Sequence, residues 1–281
     1  MAWVELDHLR LWYEMAGHGP PLVLLHGLGS SSADWALQLS GFSSYYRVIA
    51  PDLRGHGRTW CERSWRAISI EHMAADIAVL LERLNARPAH VLGLSMGGCV
   101  ALHLALDYPG YVRTLTLVNT GATIRPTRRR LLRGLWRVLA LVSRGPGAMA
   151  QIIAKGLFPQ PDQEQLRQEA IARLGQVEPR AYLAALWAVL RFDVRHRLHE
   201  IRHPTLVVAG DRDDTLGPKP TRALAEGIPG ARLVIIPNSR HATPIDQPQI
   251  FNQVVLDFLR GIDEAQEGIP YVSIIHHVEA R

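Results

Sequence analysis

Cysteine and lysine are nearly absent from these 281 residues: Cys61 and Cys99 are the only cysteines, Lys155 and Lys219 the only lysines. Two cysteines do not make a disulfide framework, and without a Cys-x-x-Cys pair a zinc ribbon is excluded. A reducing, cytoplasmic location is therefore expected. Long apolar runs are also lacking. The longest, Ala181 to Leu190, is closed by Arg180 and Arg191, well short of the ~20 residues a membrane-spanning helix needs. The N-terminus carries Glu5 and Asp7 and no basic-then-apolar segment, so no secretory signal is read. Internal repeats and low-complexity tracts are missing too.

The net charge of +5 comes almost wholly from arginine, concentrated in Arg125, Arg128, Arg129, Arg130, Arg133 and Arg137. Aromatic residues do not interleave with this cluster as a base-stacking surface would require, and no helix-turn-helix or RNA-binding signature accompanies it. A nucleic-acid partner is not expected. With 47% hydrophobic and 20% charged residues, the chain has enough apolar material for one large packed domain, or one domain with a sizeable insertion.

Short apolar runs alternate with helical periodicity. Leu9 to Ala16, Pro21 to His26, Tyr46 to Ala50, His90 to Leu94, Val112 to Val118, Thr205 to Ala209 and Leu233 to Ile236 read as strands. Ile70 to Leu84, Met96 to Leu106, Thr221 to Glu226 and Ile250 to Leu259 read as helices. That alternation predicts an α/β fold with a mostly parallel sheet covered on both faces. Residues 121–202 break it: helices only, punctuated at Gly145-Pro146-Gly147 and Phe158-Pro159-Gln160-Pro161. An all-helical stretch between two parallel strands suits a cap over the carboxyl edge of the sheet, where ligands bind. The expected organisation is a core over 1–120, a cap over 121–202, the rest of the core over 203–261 and a dispensable tail over 262–281. Within that tail, Pro270 to Ile275 could add an edge strand.

Gly93-Leu94-Ser95-Met96-Gly97 sits between a buried strand and a helix. A serine on such a hairpin is lifted clear of the sheet in a strained conformation. The flanking glycines are required because a Cβ there would strike the neighbouring strand or helix. His26-Gly27-Leu28-Gly29 follows the second strand, and the Leu28 and Met96 amides are the candidate oxyanion donors. His26 itself reads as a structural hydrogen-bonding residue. An acid is expected from Gly210-Asp211-Arg212-Asp213-Asp214, with Asp213 favoured, Asp214 as the alternative and Asp211 read as a turn or ion-pair residue. The end of the Val112–Val118 strand offers Asn119, not a carboxylate. The base is expected at His241, in the loop between the last strand and the last helix. His8, His18, His72, His90, His103, His196, His199 and His203 fall on strand edges, helices or the cap exit, and His276 and His277 lie in the tail.

The order Ser95, Asp213, His241 on an alternating chain resembles the α/β-hydrolase family. Pro51-Asp-Leu-Arg-Gly-His-Gly57 and the Pro204–Gly210 entry to the acid strand are similar to that family as well. The resemblance spans about Leu9 to Gly261. It departs at Arg58-Thr59, where a serine is usual, and at Pro218, one residue late after the acid. It implies an eight-stranded, mostly parallel sheet with a cap after the sixth strand. It also implies a serine hydrolase that cleaves carboxylic esters, lactones included, through an acyl-enzyme, with no metal or organic cofactor. A serine at position 95 argues against haloalkane dehalogenases and epoxide hydrolases, which place an aspartate there. Carbon–carbon bond hydrolases of ring-opened aromatic acids carry a Ser/Gly-Pro-Gly stretch where this chain has Leu28-Gly29-Ser30, and cofactor-free perhydrolases prefer an aromatic residue in place of Leu28. Both remain alternatives, as does a non-catalytic ligand receptor.

Substrate choice falls to the cap. In Arg128 to Ser143, Leu131, Leu135, Val138, Leu139 and Val142 share one face, and Arg130, Arg133 and Arg137 another. The direct expectation is a lid helix with its apolar face on the core or pocket and its arginines in water. The alternative is contact with anionic lipid or an acidic substrate. Leu135, Leu139, Leu183 and Trp187 are the expected pocket wall, which would favour uncharged acyl or aryl esters of short to medium length. Cys99, on the helix after the serine, reads as buried packing.

Overall fold

In the computed structural model, residues 2–6, 9–61, 67–125 and 127–266 are described. The strands are β1 (Ala2–Leu6), β2 (Leu9–Ala16), β3 (Pro21–Leu25), β4 (Arg47–Pro51), β5 (Trp60–Cys61), β6 (Ala89–Leu94), β7 (Val112–Val118), β8 (Thr205–Gly210) and β9 (Arg232–Ile236). The α-helices are α1 (Ala36–Phe42), α2 (Ile70–Arg83), α3 (Met96–Asp107), α4 (Arg128–Arg144), α5 (Pro146–Leu157), α6 (Glu164–Leu174), α7 (Pro179–Arg191), α8 (Pro218–Gly227), α9 (Thr243–Asp246) and α10 (Pro248–Gln266).

One sheet runs in the order β1-β2-β4-β3-β6-β7-β8-β9, with β5 paired to β2 at the side. From β4 to β9 every pairing is parallel, and β1 and β2 are antiparallel. Successive residues of the central strands feed opposite faces, as the two-residue period requires. Val23 and Leu25 join the cluster under α2, α3 and α8, while Leu22 and Leu24 join the cluster under α1 and α10. That double burial explains why these strands are continuous apolar runs.

β1 was not visible as a strand in the sequence. It is a short edge element with alternating half-buried and exposed residues, held to β2 by the Trp3–Trp12 edge-to-face pair at 4.9 Å. The last helix runs to Gln266, past the expected boundary at Gly261. Asp263 accepts a hydrogen bond from Tyr46 Oη at 3.0 Å and pairs with Arg113 at 2.7 Å, so this end of the helix is tied to the sheet and is not a dispensable tail. His8, Pro270 to Ile275, His276 and His277 lie outside the described residues.

The chain passes from β3 outward to β4 and then returns to the other side of β3 as β6. The carboxyl ends of β3 and β6 therefore flank a reversal of strand order, where open α/β sheets form their binding crevice. Six strands of the main path precede the segment between β7 and β8, whose regular structure among the described residues is helical apart from an isolated bridge between Thr123 and Asp193.

Candidate active site

Ser95 follows β6 and sits at φ +54°, ψ −114°, a sparsely populated conformation for a residue with a side chain. The strain is held on both sides. Ser95 N donates to Val118 O at 2.9 Å, and its own carbonyl accepts from Gly98 N and from Thr120 Oγ1. A Cβ at Gly93 would overlap the backbone of Gly97, and one at Gly97 would overlap the carbonyl of Leu25. The two glycines thus let β6, β3 and α3 approach closely enough to form the turn.

His241 lies in the loop after β9 and Asp213 in the loop after β8. His241 Nε2 is 2.9 Å from Ser95 Oγ, and His241 Nδ1 is 2.9 Å from Asp213 Oδ2. The other Asp213 oxygen accepts from Thr215 N at 2.8 Å and Leu216 N at 3.1 Å. Burial alone would push the Asp213 carboxyl up, but the charge and hydrogen bond of His241 and the two amides outweigh it and hold it below the usual carboxylate range. Asp214 points elsewhere. Its carboxylate pairs with Arg133 at 3.3 Å and Arg240 at 3.6 Å, half exposed. Asp211 accepts from Ser239 N at 3.1 Å and so ties the ends of β8 and β9 together.

Leu28 and Met96 line the same cavity as Ser95 and His241. Among the described residues neither amide is spent in a turn or cap hydrogen bond. The Met96 amide opens α3, ahead of the Gly98 and Cys99 N–H groups that turn back to Ser95 O. His26 is structural, as read: its Nδ1 lies 2.8 Å from Gly27 O, and its Nε2 accepts from Leu53 N at 2.9 Å. Burial lowers its pKa against the opposing pull of Asp52.

Asn119 is a residue whose part the sequence reading passed over. Fully buried at the end of β7, it donates through Nδ2 to Arg240 O at 3.1 Å, to His241 O at 2.9 Å and to Thr243 Oγ1 at 2.7 Å. Its Oδ1 accepts from Gly210 N at 2.9 Å. One amide side chain therefore locks the His241 loop against the end of β8. Asp246 braces the same loop from the other side, accepting from Ser239 Oγ at 2.8 Å and Arg240 N at 2.6 Å.

The cavity measures about 240 Å³. Its floor is the sheet end, and its remaining wall comes from the helical segment, with Ile153, Phe158, Tyr182 and Leu186 prominent. This wall differs from the expected one. Leu135, Leu139 and Trp187 are 56%, 53% and 62% exposed, and none lines the cavity. Leu183 packs into the segment's own small core instead. On α7 the residues that turn inward are Ala181, Tyr182, Ala185 and Val189, one face over from the predicted stripe. α4 turns most of the expected apolar stripe outward: Leu131, Leu132, Leu135, Trp136, Leu139 and Val142 are exposed, while Leu141 is buried, Arg130 and Arg137 turn in and Arg133 stays in water. Arg130 donates to the carbonyls of Asp214, at 3.3 Å, and Leu216, and Arg137 lines the cavity. Carbonyls at the acid loop capture the arginine face, which overrides the ordinary preference for apolar burial. A second cleft of about 560 Å³, bordered by Asp52, His56 and Arg58, touches neither Ser95 nor His241.

A hydroxyl hydrogen-bonded to an imidazole that is in turn bonded to a buried carboxylate is the arrangement that can deprotonate a serine as it attacks. The comparisons agree on a hydrolase. Residues 20–248 match the model of the α/β hydrolase fold. RutD of Azorhizobium caulinodans, provisionally named a carbamate hydrolase, is 34% identical over 262 residues, covering 90% of this chain and 96% of its own length. The enol-lactonase of Burkholderia xenovorans superposes with a TM-score of 0.84 at 26% identity, covering 92% of this chain and 100% of that one. A thermophilic esterase of Thermogutta terrifontis does so at 0.79 and 28%, covering 90% and 94%. The chain belongs to the α/β-hydrolase fold family.

Proposed function

We propose that this hydrolase cleaves carboxylic esters of short to medium acyl or aryl groups, lactones included, through an acyl-enzyme on Ser95. The observation that carries the reading is the unbroken run Ser95 Oγ–His241–Asp213, both links at 2.9 Å. His241 takes the serine proton as Oγ bonds to the carbonyl carbon, and Asp213 orients the ring and stabilises the imidazolium. The Leu28 and Met96 amides hold the oxyanion. The C–O bond to the alcohol then breaks, His241 returning the proton to the leaving oxygen. Water, deprotonated by His241, releases the acid in the same way. A cavity of about 240 Å³ lies below the ~300–1,000 Å³ of drug-sized sites and favours small acyl groups. Residues 121–202 act as a cap in this reading, between core portions 1–120 and 203–261. The two free cysteines favour a cytoplasmic location.

Carbamates are a second reading, supported by the name of the RutD relatives. A carbamate ester presents the same carbonyl, oxyanion and leaving group to Ser95. Turnover of a p-nitrophenyl ester series from acetate to palmitate, by wild type and Ser95→Ala, tests the proposal. Activity peaking at short to medium chains and falling by about 10⁴ on substitution supports it; a folded wild type inert on every chain length overturns it.

The outward face of α4 fits peripheral contact with anionic lipid. No helix among the described residues is long and apolar enough to cross a membrane. α4 nevertheless exposes Leu132, Trp136 and Val142, is flanked by the exposed Arg128, Arg133 and Arg144, and contains no acidic residue. That charge and that apolar stripe complement an anionic headgroup layer.

A further inference from the structure

We infer that Arg137 is an anion-reading residue of the Ser95 cavity, and that the preferred substrate carries a carboxylate apart from the bond that is cleaved. The inference rests on the proposed acyl-transfer site and specifies its substrate class.

Arg137 lies on the inward face of α4 and lines the same cavity as Ser95, Met96 and His241. Its Nε is buried with no hydrogen-bond acceptor, and no carboxylate lies within ion-pair distance of its guanidinium among the described residues. A buried N–H donor left unmatched is costly. The contrast is Arg173, on the same cavity wall, which is already engaged by Asp34 at 2.7 Å and Glu169 at 3.4 Å. The wall Arg137 shares is largely apolar, with Ile153, Leu157, Phe158 and Tyr182, and its two carboxylates, Asp34 and Glu169, are those held by Arg173. Such surroundings strengthen an ion pair between Arg137 and a bound anion, the cavity's own carboxylates being engaged by Arg173. A guanidinium also matches a carboxylate in shape, two parallel N–H groups to two oxygens. The rotation of α4 that puts six large apolar residues in solvent is the same rotation that brings this donor to the cavity.

The test pairs two esters of equal chain length, p-nitrophenyl hexanoate and p-nitrophenyl hydrogen adipate, on wild type, Arg137→Met and Arg137→Lys. Wild type should favour the adipate by about tenfold or more in kcat/KM. Arg137→Met should collapse that ratio to near one by raising KM for the adipate, and Arg137→Lys should keep part of the preference. A second readout needs no turnover: binding of monomethyl adipate to Ser95→Ala, followed as a shift in Tm, should vanish when Arg137→Met is added. A wild-type ratio near one, or a preference unmoved by Arg137→Met, overturns the inference while leaving the esterase reading intact. Arg137-dependent binding of monomethyl adipate in a protein that hydrolyses neither ester would uphold the anion site and overturn the esterase reading.

Discussion

Asn119 donates a hydrogen bond to the carbonyl of His241 across 122 residues of chain, at 2.9 Å. The imidazole is aimed at Ser95 partly because its own backbone is pinned to the end of β7. Asn119→Ala removes that pin without touching a reacting atom. It should lower kcat by about 10- to 100-fold with KM within about threefold, as expected for a misplacement of about 1 Å. Asn119→Asp sets a carboxylate against the same carbonyls and should be worse than alanine. Steady-state kinetics with a Tm measurement on each variant checks both; an unchanged kcat in either would refute the positioning role.

The neighbouring aspartates of the acid loop should separate cleanly. Asp213→Asn should cost about 10⁴ in kcat, because an amide no longer selects the imidazole tautomer that accepts from serine. Asp214→Asn removes only exposed ion pairs with Arg133 and Arg240, each worth about 1 kcal/mol or less, and should leave kcat within about threefold. Comparable losses in the two would mean the acid has been misassigned.

Mild acid should destabilise the protein through two buried histidines. Burial pushes His56 down to about 3 and lowers His26 as well. Above the ordinary imidazole pKa both are neutral whether folded or unfolded, and they contribute no pH dependence. As pH falls below it the unfolded chain takes up protons that the folded chain refuses, so stability drops, at most by about 1.4 kcal/mol per pH unit for each histidine. The lowered carboxyl of Asp213 acts in a more acidic window, since its contribution is complete above the unfolded carboxylate pKa and is lost only below that value. Tm scans from pH 7.5 to 5 should show the decline, with a flatter slope for His56→Gln.

Backbone clearance under the serine turn predicts a sharp asymmetry among glycines. Gly97→Ala drives a methyl into the carbonyl of Leu25 and should cost about 3 kcal/mol, a fall of about 6–12 °C in Tm. Gly110→Ala meets nothing within 4 Å and should shift Tm by no more than about 2 °C. Equal Tm values would show that the close approach of α3 to β3 is not required.

Lipid contact through α4 predicts a composition-dependent partition. The protein should co-sediment with vesicles containing phosphatidylserine, less with phosphatidylcholine alone, with a blue shift in tryptophan emission. Leu132→Ser combined with Trp136→Ser should abolish sedimentation and spare ester turnover. Binding unchanged by that pair would remove α4 as the contact.

The meeting of the candidate residues was legible in the sequence because it is written in short-range patterns: a serine between two obligatory glycines, a His-Gly turn after a strand, an aspartate and a histidine after later strands. Ser95, Asp213 and His241 meet as those patterns implied. The wall of the cavity was not legible. Periodicity says that α4 has two faces but not which one turns inward, and here Arg130 anchors the polar face to carbonyls of the acid loop. Asn119 escaped notice for a related reason. Sought only as a possible acid, it gave no sign that the register of β7 against β8 would bring its amide to the loop after β9.

Ser95, Asp213 and His241 hang from the ends of β6, β8 and β9, and Asn119 joins them from β7. Ser95 and His241 are 146 residues apart in the chain. No fragment ending before β9 can assemble them, and a sheet frayed at β8 or β9 would lose His241 from the site before it lost its core. On the proposed mechanism, turnover is therefore a reporter of cooperative folding: in a urea titration, activity and secondary structure should disappear in the same transition, and refolding chains should remain silent until the last strand has docked.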